Sequence, residues 1–103
     1  MIFVRKLYLI IFLLSNAFLL NAQTRFTLSG YVRDSLSRET LIGATVQAKE
    51  TGRAVGTNQY GFYSLTLPEG EYTLIVSFVG YFPFEKKISL HTDLELNLPV
   101  LSK

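Results

Sequence analysis

The chain has 103 residues, 49% apolar and 17% charged, with 3 Pro and 7 Gly. That suits one small folded domain and excludes a disordered tail, a collagen-like repeat or a Pro-rich linker. Arg5 and Lys6 account for the formal net charge of +2, because from Gln23 onward eight basic residues meet eight acidic ones. A neutral domain has no electrostatic footprint for nucleic acid or anionic lipid, and the absence of cysteine excludes disulfides, thiolate metal sites, Cys nucleophiles and Cys-linked lipid.

Residues 1–22 read as an export segment. Arg5 and Lys6 form a positive start, Leu7 to Leu14 is an unbroken apolar run, and Ala17 to Leu20 extends it past Ser15 and Asn16. Ala22 supplies the small residue before a cut, although Leu20 is large for the position two residues earlier. The stretch from Leu7 to Leu20 is 14 residues, short of the roughly 20 that span a bilayer. A cleaved secretory signal over 1–22 is therefore expected, with a folded domain over 23–103.

From Gln23 the apolar residues recur with period 2. Phe26, Leu28, Gly30 and Val32 alternate with Thr27, Ser29, Tyr31 and Arg33 in a first strand, and Asp34 to Glu39 is a polar loop. Ala44, Val46 and Ala48 mark a second strand, a turn follows at Thr51-Gly52, and Arg53 to Thr57 is a short third strand. Asn58-Gln59-Tyr60-Gly61 predicts a turn with Gly61 at positive φ. Tyr63, Leu65 and Leu67 form a fourth strand, and Pro68-Glu69-Gly70 the next turn. Tyr72, Leu74, Val76 and Phe78 share one face of a fifth strand, whose Ile75 on the other face suggests a central position. Gly80 and Pro83 interrupt; Glu85 to Leu90 and Leu94 to Leu98 are the last two strands. Seven short strands with turns every 8–12 residues predict an all-β, antiparallel sandwich.

Several blocks carry a family resemblance. Gly30-Tyr31-Val32-Arg33-Asp34 with Glu39 to Val46, then Gly56-Thr57-Asn58 through Ser64-Leu65, are similar to carboxypeptidase regulatory-like domains. Leu67-Pro68-Glu69-Gly70-Glu71-Tyr72-Thr73-Leu74 and Val76 to Tyr81 continue the likeness, which runs from Phe26 to Leu98. The resemblance implies a seven-stranded, transthyretin-like sandwich that holds no zinc ligand. It also implies the place such modules take at the N-terminus of TonB-dependent outer-membrane receptors, in the periplasm or outer membrane of a Gram-negative envelope. The partner would be the rest of a longer receptor chain or another envelope protein. Two departures stand out: Ser37-Arg38 occupies a position where the family usually has Asp or Asn followed by Gly, and Phe62 replaces a commonly polar residue.

Catalytic chemistry has little to work with. His91 is the single histidine, with Asp93 nearby, too few ligands for a zinc site and too few bases for a hydrolase triad. The transthyretin-like fold includes a purine-pathway hydrolase that uses several His and Arg residues and a Tyr-Arg-Gly-Ser tail, whereas this chain has one His and ends Val-Leu-Ser-Lys, so that activity is not expected. Asp34, Glu39 and Asn58 lack the regular spacing of a calcium loop and read as turn residues. No metal site, cofactor site or catalytic residue is expected. Tyr60, Phe62, Tyr81 and Phe82 at loop ends are the candidate partner surface. The expected function is an exported, non-catalytic accessory module of a TonB-dependent receptor. The alternatives are a standalone periplasmic or cell-surface binding module and a small secreted hydrolase.

Overall fold

Alternating apolar residues need a second layer to cover them, and the chain supplies it by folding into two packed sheets. The computed structural model describes residues 4–11 and 23–103. Among these residues eight strands form: β1 (Arg25–Asp34), β2 (Thr45–Ala48), β3 (Ala54–Gly56), β4 (Phe62–Pro68), β5 (Gly70–Ser77), β6 (Phe84–Leu90), β7 (Leu94–Glu95) and β8 (Leu98–Val100). One sheet has the order β4-β1-β7 with β8 also on β1; the other is β3-β2-β5-β6. β5 lies between β2 and β6, the interior place that Ile75 suggested, and Ile75 is half-buried.

The inward faces are those the period predicted. Leu28, Val32, Tyr63, Leu65 and Leu67 from one sheet meet Val46, Ala48, Leu74, Val76 and Leu90 from the other, all buried. Each large aliphatic side chain in that layer contributes about 1.5–3 kcal/mol by leaving water. Tyr63 is the bulkiest fully buried side chain, and its hydroxyl donates to the Leu96 carbonyl at 2.6 Å. Burial pushes its phenol pKa well up, so the hydroxyl stays protonated as a donor.

Two details correct the expected antiparallel, seven-stranded arrangement. The predicted last strand, Leu94 to Leu98, is divided into β7 and β8, which raises the count to eight. Both run parallel to β1, so the first sheet is mixed. The cause of the parallel direction is topological: residues 91–93 carry the chain from the end of β6 to the starting end of β1. The register holds across the division, with Leu28 opposite Leu94 and Val32 opposite Leu98. At Leu96 and Asn97 the ladder is replaced locally. The Leu96 carbonyl leans over Gly30, and Asn97 Oδ1 accepts the Tyr31 N–H at 2.9 Å.

Within the expected export segment, residues 4–11 are helical. The rest of that segment, including the expected cut at Ala22, lies outside the described residues. No helix among the described residues is long and apolar enough to cross a membrane.

Candidate interaction surface

Strand directions sort the connections to two ends. Residues 35–44, 57–61, 78–83 and 101–103 lie at the end where β1 finishes, and residues 49–53, 69 and 91–93 lie at the other. Polar groups lock the first set together. Asp34 Oδ1 accepts the N–H groups of Leu36 and Ser37, and Asp34 Oδ2 accepts the Tyr81 hydroxyl at 2.8 Å. Those bonds, led by the Ser37 N–H, hold the Asp34 carboxyl below its usual pKa, and the bond to Asp34 pushes the Tyr81 phenol up. Buried Thr57 uses its hydroxyl to donate to the Leu41 carbonyl and to accept the Ala44 N–H. At the tip of this end, the Phe82 N–H donates to the Leu101 carbonyl and the Lys103 N–H to the Gly80 carbonyl.

The turn at 58–61 adopts the predicted form. Gly61 has φ +74°, and Asn58 Oδ1 accepts the N–H groups of Tyr60 and Phe62. A Cβ on Gly61 would stand 2.5 Å from Thr40 Cβ. The close approach is therefore to the chain's own first loop. Gly61→Ala should lower stability by about 2 kcal/mol or more, from the left-handed backbone together with the clash. Chemical denaturation checks this; an unchanged midpoint with defective envelope assembly would instead assign the residue to a partner contact.

The four aromatic residues singled out as a partner surface have different surroundings. Tyr60 (64% exposed) and Phe82 (51%) stand open to solvent. Phe62 is half-buried on the outer face of the first sheet, its ring 5.4 Å from Tyr31 in an edge-on pair. Tyr81 packs against Phe78 and is tied to Asp34. Leu36, Ile42, Val79 and Leu101 are exposed at the same end, so every exposed large apolar side chain within residues 23–103 lies there. Sequence reasoning missed these four aliphatic residues, because an apolar residue in a loop has no periodic signal to mark its exposure.

At the opposite end His91 is half-exposed. Its Nδ1 lies 2.9 Å from Glu69 Oε1 and its Nε2 3.4 Å from Glu71 Oε1. The bond to Glu69 raises its pKa above the ordinary 6.5. Stabilisation from this pairing is thus fully present below pH 6.5 and lost as pH rises through the raised value. Proton NMR titration of the His91 ring should give a pKa above 6.5 that falls back toward it in Glu69→Gln. An unshifted titration would show that the pair does not form in solution. Asp93, its sequence neighbour, is occupied elsewhere and accepts the Thr27 N–H. Among the described residues no group of three or more His, Asp or Glu side chains is arranged to hold a metal ion.

Comparison with known families decides the relationship. The model of the CarboxypepD_reg-like domain matches residues 28–103. The chain belongs to the CarboxypepD_reg-like domain family. A search of curated proteins finds no match.

Solved structures share the fold of this CarboxypepD_reg-like sandwich. A chain in an interface mutant of the type II cohesin–X-dockerin complex from Acetivibrio cellulolyticus is similar at 25% identity and a TM-score of 0.62, over 74% of this chain and 56% of that one. A putative membrane-associated protein of unknown function from Bacteroides fragilis is 22% identical, with a TM-score of 0.58, over 79% and 29%. A DUF3823 family protein from Parabacteroides merdae is 21% identical, with a TM-score of 0.60, over 79% and 48%. The chain thus spans little more than half the length of these proteins, or less, and the two likenesses below 25% show the fold alone.

Proposed function

We propose that this CarboxypepD_reg-like domain is an exported, non-catalytic module that serves as the N-terminal accessory domain of a TonB-dependent outer-membrane receptor. The observation that carries the reading is the family match across residues 28–103, behind an N-terminal segment with the charge and apolar order of a secretory signal. The partner surface is the loop end bearing Tyr60 and Phe82, joined by Leu36, Ile42, Val79 and Leu101, and its proposed occupant is the receptor of which the domain is an accessory part. A standalone envelope binding module is the second reading, favoured by the 25% likeness to a chain of a cohesin complex. A hydrolase role is disfavoured by His91 itself. Both of its ring nitrogens face carboxylates, and the nearby Ser89 hydroxyl bonds Glu71.

Cell fractionation with N-terminal sequencing tests the export step. Envelope material starting near Gln23 is expected, and intact Met1 in the cytoplasm overturns it. The reading frame after codon 103 tests the receptor step: a plug and barrel are expected, and a stop codon with no neighbouring barrel favours the standalone module.

A further inference from the structure

The geometry points to a carboxylate-binding site on the rim of the first sheet, formed by Arg33 and Arg38 at the end where β1 finishes. An open cleft of about 390 Å³ lies there, lined by Arg33, Ser35, Arg38, Asn97, Leu98 and Pro99 together with Asp34. Two arginines line this cleft, and among the described residues neither has a carboxylate within ion-pair distance. Asp34, the one acid in the lining, already accepts hydrogen bonds from Leu36, Ser37 and Tyr81. Glu39 follows Arg38 in the chain without pairing with either arginine.

The Arg33 side chain is held in place. The Arg33 guanidinium stacks over the Tyr31 ring, 5.1 Å from its centroid, and Nη1 reaches the Arg38 carbonyl at 3.4 Å. Stacking and one bond leave the rest of its donor fork unused, so little side-chain entropy remains to be lost when an anion arrives. Arg38 has φ +69°, the one non-glycine residue at positive φ among those described. Glycine there would remove the strain. The chain instead carries an arginine at a strained position in a cleft lined by a second arginine, the kind of local cost that a binding site retains. A planar fork of N–H donors matches a carboxylate in two-point contact, and the exposed Pro99 ring offers an apolar surface beside it. The ligand class is therefore a carboxylate borne next to an apolar group, such as a peptide C-terminus. The site rests on this chain's own side chains and stands apart from the receptor reading.

The test is a titration of the isotopically labelled protein, followed through the Arg33 and Arg38 Nε–H resonances. N-acetyl-leucine should give saturable shifts and N-acetyl-leucinamide none; inorganic phosphate and acetate should each bind more weakly. Arg38→Gly should bind N-acetyl-leucine roughly tenfold more weakly while melting at a higher temperature, and Arg33→Lys should lose binding with an unchanged melt. Equal shifts from the leucinamide, or undiminished binding by Arg38→Gly, would overturn the site. Phosphate binding as tight as N-acetyl-leucine would overturn the carboxylate preference, and a lower melting temperature in Arg38→Gly would overturn the strain argument.

Discussion

Gly30→Ala is expected to be the most damaging single-methyl substitution in the sandwich, lowering stability by about 3 kcal/mol. A Cβ at this position would stand 2.0 Å from the Leu96 carbonyl oxygen and 2.6 Å from its carbon. Backbone cannot rotate aside as a flexible side chain can, so the segment between β7 and β8 must lift. Lifting it strains the Tyr63 hydroxyl bond to Leu96, the Leu96 N–H bond to the Ser29 carbonyl and the Asn97 bond to Tyr31. Overpacking costs about 1–3 kcal/mol and each weakened bond about 0.5–1.5 kcal/mol, against roughly 5–15 kcal/mol for a whole domain. Gly56→Ala is the control, since the nearest atom to its new Cβ is 3.9 Å away. Urea denaturation should separate the two variants clearly. Equal midpoints would show that Leu96 does not lie against Gly30 in solution.

Leu74→Ala should cost about 2–5 kcal/mol, and Thr73→Ala less than about 1 kcal/mol. Leu74 is fully buried at the centre of β5, so truncation removes transfer energy and leaves a cavity between the sheets. Thr73 points to the outer face and is half-buried, and the substitution leaves in place the bonds that its backbone N–H and carbonyl make with Glu50 and Lys49. Calorimetry or denaturant melts of the two variants decide the matter. Similar losses at the two positions would mean that the inward face of β5 is misassigned, because a one-residue change of register exchanges every inward side chain for an outward one.

The elements whose determinants are local were legible in the amino-acid sequence. Successive side chains on a strand point to opposite faces, so Leu28/Val32, Leu65/Leu67 and Leu74/Val76 declare their buried side without reference to a neighbour. Gly61 was legible for the same reason, since Asn and Gly around a short polar pair specify a turn with positive φ. The family blocks likewise sit on strands and the turns that join them. Other features depend on residues far apart in the chain. Tyr81 bonds an aspartate 47 positions away, and Tyr31 an asparagine 66 positions away. His91 finds Glu69 across 22 residues, although Asp93 is the acid beside it in the sequence. The parallel direction of β7 and β8 and the steric need for Gly30 belong to this group. Strand alternation states which face a residue takes; which strand lies beside it is decided by where the connections cross between the sheets. That crossing brings Leu96 onto Gly30 and gathers the apolar loops at one end, so these features emerge only when the two sheets close on each other.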